Sequence, residues 1–102
     1  MTYAYVVDVP APIELYDAVH AEVVRRSGGH ADGLLVHLAR ATATGFQVLE
    51  VWDSKEQSDR FGDEFVGPAM ASAGGADVEG PEPPREEFEP RGLMIPAARV
   101  SA

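Results

Sequence analysis

Two neighbouring stretches, GLLVHLARAT at 33–42 and FQVLEVW at 46–52, limit the possible folds more than anything else in the chain. Each has the aliphatic and β-branched content of a strand, and the ATATG between them is short enough for a hairpin. Neither strand has a polar side. Leu34, Val36 and Leu38 alternate on one face with Leu35 and Ala39 on the other, and Phe46 and Val48 oppose Leu49 and Val51 in the same way. A sheet built on such a hairpin needs cover on both faces, helices on one and a second sheet on the other.

The flanking segments supply the helices. TYAYVVDV at 2–9 reads as a first strand, and Pro12 stands where the first residue of a helix tolerates a missing N–H. Ile13, Tyr16, Val19 and Val23 then recur at helical spacing up to Arg25, Arg26 and the stop Gly28-Gly29. After the hairpin, Ser54 has the character of an N-cap, with Gln57 three residues on to complete a capping box. Phe61 and Phe65 lie one turn apart on this second helix, which Gly67-Pro68 should break or kink, leaving a short piece around Met70.

Residues 74–84 form an irregular Gly/Pro-rich connection, and Phe88 with Leu93-Met94-Ile95 suggests a fourth strand. Pro90 within that stretch restricts it to an edge or a broken strand, and 96–102 reads as a flexible tail. The order is β-α-β-β-α-β, a single ferredoxin-like α+β domain with a four-stranded antiparallel sheet. The 102 residues suit one domain, and at that size only roughly two-thirds of the unfolded surface is buried. Pairing with a second copy would cover the open sheet face, so the expectation is a homodimer whose two sheets form an α+β barrel.

Composition excludes several classes of function. A net charge of −9 with eight scattered Lys and Arg offers no phosphate-binding surface, so nucleic acid is not expected. The absence of cysteine removes disulfides, thiolate metal sites and a cysteine nucleophile. No two histidines stand at i, i+4 on a helix, so no metal site is expected. No apolar run is long enough to span a bilayer and no signal-peptide layout is present, which predicts a cytoplasmic protein with no membrane partner.

The candidate chemistry gathers around the third strand. Glu50 shares a face with Phe46, Val48 and Trp52, where a carboxylate is costly unless partnered. An even-numbered hairpin loop puts His37 opposite Glu50; an odd one turns it to the other face. A carboxylate partner would fix the tautomer of His37 and make it a base for a phenol or an acidic carbon. The bland alternative is a structural hydrogen-bonded pair. Trp52 either lines a pocket or anchors the second helix as core. His20 lies between Tyr16 and Val23, pointing to the same cavity or to solvent, and His30 belongs to a Gly-rich loop. Tyr3 and Tyr5 alternate with Val7 on the first strand, as sheet filling or as hydrogen-bond donors to a ligand.

The run LEVWDSKEQSDRF at 49–61, a strand ending in Glu-x-Trp that leads into a capped aromatic helix, resembles the antibiotic biosynthesis monooxygenase-like family. The resemblance covers roughly residues 2–75 in the order and spacing of elements. It implies a small dimeric α+β barrel with a pocket between sheet and helices in each subunit. Some members are cofactor-independent oxygenases of aromatic polyketides, in which the substrate helps activate oxygen. Others degrade haem with an asparagine and a helix-borne histidine, but this chain has no asparagine and no histidine in 54–73. The expected function is therefore a small cofactor-independent enzyme acting on a largely apolar, aromatic metabolite. In it His37 and Glu50 would be catalytic, with Trp52, Tyr16, His20, Phe61 and Phe65 binding the substrate. The alternative is a non-catalytic dimeric ligand-binding or accessory protein of the same fold.

Overall fold

The computed structural model describes residues 2–73, 83–96 and 100–101. Its elements are β1 (Tyr3–Val9), α1 (Ile13–Ser27), β2 (Leu34–Thr42), β3 (Gly45–Trp52) and α2 (Lys55–Phe61). A π-helical segment (Gly62–Val66), α3 (Gly67–Ser72), β4 (Arg85–Phe88), β5 (Met94–Ile95) and β6 (Val100–Ser101) follow. The main sheet has the order β2-β3-β1-β4 with every neighbour antiparallel, which is the ferredoxin-like arrangement.

The hairpin closes with a two-residue loop, since Thr42 pairs with Gly45. That even loop sets the register, and His37 faces Glu50. Gly45 is required at the turn by a close approach, because a Cβ there would stand 2.0 Å from the carbonyl oxygen of Val9. At the other end of β2 a bulge at Leu35 breaks the alternation expected for Leu34, Val36 and Leu38. Leu34 pairs with Trp52 while Val36 pairs with Val51, so Leu34 joins the opposite face from Val36 and Leu38.

The helices cover the face that carries Tyr5, Phe46, Glu50 and Trp52. Tyr16 of α1 packs on Phe46 with ring centroids 5.6 Å apart, and Phe61 of α2 packs on Trp52 at 5.5 Å. Trp52, at 1% exposure, is the largest fully buried side chain among the described residues. On the other face Leu38 is 60% exposed.

Helix boundaries follow the expected signals with small shifts. Pro12 is the extended residue immediately before α1 rather than its first helical one, and Gly28 ends α1 in the left-handed region at φ 69°. Ser54 caps α2 by accepting from the Gln57 N–H at 3.2 Å. The returning half of the box differs, because the Ser54 hydroxyl donates to Gln57 Oε1 at 3.0 Å.

The break expected at Gly67-Pro68 takes the form of the π-helical segment just before it. The Gly67 N–H reaches back to the Gly62 carbonyl, which widens the turn ahead of Pro68 and gives its ring room while the helix continues.

A single fourth strand joining Phe88 to Leu93–Ile95 does not form. β4 pairs with β1 at the sheet edge, whereas β5 pairs with β6 in a separate two-stranded sheet. Pro90, without a ladder donor, lies between them. Most of the irregular connection (74–82), with 97–99 and 102 of the tail, lies outside the described residues.

Candidate functional site

Strand pairing and one helix bring six polar side chains into a connected group on the helix-covered face. Glu50 is its centre. Its Oε2 lies 2.6 Å from His37 Nδ1. Its Oε1 accepts from the Tyr5 hydroxyl at 2.6 Å and from Trp52 Nε1 at 3.0 Å. Burial alone would push the Glu50 carboxyl up; hydrogen bonds from His37, Tyr5 and Trp52 outweigh it and hold the group below the usual carboxylate range.

An ionised Glu50 only accepts, so His37 Nδ1 carries the proton of that hydrogen bond. The other ring nitrogen, Nε2, lies 2.6 Å from the Tyr16 hydroxyl, which in turn lies 3.3 Å from His20 Nδ1. Tyr16, His20 and His37 form a stack, with ring centroids 5.4–5.9 Å apart and planes within 11–18°. The stack leaves His37 half-buried, at 25% side-chain exposure against 12% for Glu50. His20 is exposed.

Burial, then the Glu50 and Asp17 charges, push the Tyr16 phenol up. Burial followed by Glu50 pushes Tyr5 up further. Arg85 of β4 lies over the Tyr5 ring at 4.3 Å, a cation–π contact that closes the group on its far side. Among the described residues no buried side-chain nitrogen or oxygen lacks a partner.

The residues proposed from sequence therefore meet in part. His37, Glu50, Tyr16, His20 and Trp52 belong to one network. Phe61 and Phe65, with centroids 5.1 Å apart, line a cavity of about 230 Å³ together with Ser27, His30, Asp32, Gln57, Arg60 and Glu64. Phe61 joins the two regions, since its ring rests on Trp52. A second, more open hollow of about 390 Å³ lies beside the hairpin, lined by Ala11, Ile13, Thr42 and Gly45 among others. Neither hollow is lined by His37, Glu50 or Trp52.

Sequence reasoning missed Tyr5 and Arg85 as members of the group. Tyr5 faces Glu50 through the β1–β3 pairing, and Arg85 lies opposite Val7 through β1–β4. Neither pairing is set by a short hairpin, so no loop length in the sequence reveals its register. The alternation of Tyr3, Tyr5 and Val7 was the available signal, and it identifies the face but not the partner. Among the described residues no group of three or more His, Asp or Glu side chains is placed to hold a metal ion, and no helix is long and apolar enough to cross a membrane.

Solved structures share this fold at low identity. One is a protein provisionally described as an antibiotic biosynthesis monooxygenase from Chloroflexus aurantiacus. It superposes with a TM-score of 0.66 at 21% identity, over 91% of this chain and 96% of that one. A similarly described protein from Caulobacter crescentus gives 0.66 at 19% identity, over 85% and 87%. SnoaB, a cofactor-independent oxygenase from Streptomyces nogalater, gives 0.58 at 16% identity, over 93% and 95%. No family model matches the chain, and no curated protein matches it at a significant level. The likeness is one of fold, and it agrees with the resemblance carried by residues 49–61.

Proposed function

We propose that this chain is a small cofactor-independent, monooxygenase-like enzyme of the cytoplasm, working as a homodimer on a largely apolar, aromatic, polyketide-like metabolite. The single observation that carries the reading is the ordered series carboxylate–imidazole–phenol on the helix-covered face. A carboxylate that needed only to be neutralised would be served by any donor. Glu50 instead fixes one tautomer of one imidazole and leaves its other nitrogen as an acceptor, the arrangement of a general base.

In this reading His37 is the base and Glu50 orients it. A ligand phenol or acidic C–H would reach Nε2 by passing its proton through the Tyr16 hydroxyl. The anion so formed is the electron-rich species that an oxygenase without a cofactor requires. Phe61 and Phe65 would receive the ring of the ligand, with Trp52 behind Phe61. Tyr16 and His20 would form the wall over His37. The cavity at Phe61 and Phe65, about 230 Å³, is below the roughly 300–1,000 Å³ of typical ligand pockets. A polyketide-sized ligand would need the π-helical segment to move outward, and such segments are frequent at functional sites.

The second reading, a non-catalytic dimeric binding or accessory protein, is favoured by Trp52, which is 1% exposed and so touches no ligand as it stands. Turnover decides between them. A panel of hydroxylated aromatic compounds is offered to wild type and to His37→Ala. The enzyme reading expects consumption by wild type and its loss in the variant. Equal turnover in both rejects His37 as the base, and binding without turnover supports the second reading.

A further inference from the structure

The polar group does not stop where its structural need stops. Glu50 is satisfied by His37, Tyr5 and Trp52, yet a line of ring atoms continues outward through Tyr16 to His20 on the exposed side of α1. Tyr16 and His20 are one turn apart on that helix, which is what allows both rings to stack over His37.

We infer that Tyr16 is the bridge of a proton relay joining exposed His20 to the His37–Glu50 pair, which exchanges its proton with solvent without the site opening. The inference rests on His37 being the base proposed above, and it makes Tyr16 and His20 proton carriers as well as the wall over His37.

The atoms balance at every position. With His37 neutral, Nδ1–H donates to Glu50 and Nε2 accepts from the Tyr16 hydroxyl. The phenol oxygen is then free to accept from Nδ1–H of a protonated His20. As that proton forms a bond to the Tyr16 oxygen, the phenol's own proton moves to His37 Nε2. One N–H and one O–H bond break, and one O–H and one N–H bond form. The result is a neutral His20, an intact phenol and an imidazolium at His37 facing the Glu50 carboxylate. After His37 has taken a proton from a ligand, the same movements in reverse deliver it to His20 and water.

The surroundings favour a carrier over a resting phenolate. Burial and the Glu50 and Asp17 charges keep the Tyr16 phenol protonated at neutral pH. The charged and titratable groups facing the relay are Tyr16, Asp17 and His20 from α1, Tyr5 from β1 and Glu50 from β3, with Arg85 of β4 above the Tyr5 ring. Glu50 is the carboxylate that stabilises the charged end state, and its other two donors keep it ionised.

Nitrogen-15 NMR line shapes of the histidine rings, followed through a pH titration of the whole chain, give the rate at which each ring gains and loses its proton. Tyr16→Phe removes the hydroxyl and keeps the stack. His20→Gln keeps a polar side chain at an exposed position and cannot carry the proton. Each is expected to slow exchange at His37 by about tenfold or more, since positioned proton transfer contributes at least that much. The exposed ring of His30 should be unaffected. Exchange at His37 as fast as wild type in either variant overturns the relay. If Tyr16→Phe does not fold, His20→Gln decides alone. Slowed exchange with no compound turned over keeps the relay and rejects the enzyme reading, so the two fail separately.

Discussion

Replacing Glu50 by Gln and by Leu separates the carboxylate's charge from its role as an acceptor. In Glu50→Gln the amide oxygen can keep the Tyr5 hydroxyl and Trp52 Nε1, while the amide N–H donates to His37 Nδ1 after a change of tautomer. Hydrogen bonds to a charged group contribute about 1.5–3 kcal/mol and neutral ones about 0.5–1.5. Three bonds losing charge, offset by the easier burial of an amide, give an expected loss of about 1–3 kcal/mol. Glu50→Leu strands the same donors. The indole N–H of Trp52 and the hydroxyl of Tyr5 are buried, whereas His37 is half-buried. At about 1–3 kcal/mol for each buried unpaired donor, with some loss at His37, the expected cost is about 3–6 kcal/mol.

Urea unfolding followed by circular dichroism, at one chain concentration, measures both variants. A gap of about 2 kcal/mol corresponds to roughly 8–16 °C in thermal midpoint for a domain of this size. A Leu variant as stable as the Gln variant would show that the three donors are not held by Glu50 and would refute the reasoning. The pH dependence supplies a second check. Glu50 has a depressed folded-state pKa, so its contribution is complete above the unfolded value of about 4.3 and is lost as pH falls through the folded value. The gap between wild type and Glu50→Gln should therefore narrow in acid; a gap that widens there contradicts the assigned sign.

The three tyrosines offer the opposite sign. Tyr3 is pushed up to about 12, by burial and then by Glu87, and Tyr5 and Tyr16 are also raised. Stability from these phenols is complete below the unfolded value of about 10 and falls above it, so tyrosinate absorbance should rise late and together with unfolding. An ordinary early titration of all three would contradict the network. Leu38→Asp places a charge on the open sheet face, so a wild-type dimer should become monomeric by light scattering. A wild-type monomer, or an unchanged dimer, removes that face as the interface. Gly45→Ala forces a Cβ to 2.0 Å from the Val9 carbonyl and should cost about 1–3 kcal/mol in a thermal melt, with no loss if the hairpin can shift.

The parts of this molecule legible in its sequence were those governed by short-range geometry. The spacing of Ile13, Tyr16, Val19 and Val23, the Ser54 cap and the ATATG loop depend on neighbours within a few residues, and each produced the expected element. The His37–Glu50 pairing was legible for the same reason, because it needed only the parity of a hairpin loop. The features not encoded locally depend on distant pairing or on compensation. Tyr5 reaches Glu50 across 45 residues of sequence, through a register set by packing. The bulge at Leu35 moved Leu34 to the other face without any Gly or Pro to announce it. The π-helical segment absorbs Pro68 by a local widening that apolar periodicity does not encode. Composition alone does not say with what a segment pairs, so the final apolar stretch reads as one strand although it divides between two sheets.

Glu50 is costly by stability alone. An apolar side chain there, with apolar partners opposite, would fill the same volume without desolvating a charge. One return for that cost is register: Tyr5 stands on β1 and His37 on β2, and only one alignment of those strands with β3 presents both donors to the Glu50 carboxylate. That explains Glu50 with Tyr5, with the Trp52 indole N–H partnered on the same strand, and it explains Nδ1 of His37. It does not explain the far side of the imidazole. Fixing register requires neither a phenol at Nε2 nor a second imidazole stacked over the first at the surface, and a leucine at 16 and a lysine at 20 would satisfy the helix equally well. Packing on Phe46 accounts for the Tyr16 ring but not for its hydroxyl or for His20, and proton movement is the chemistry that such a series of groups supports.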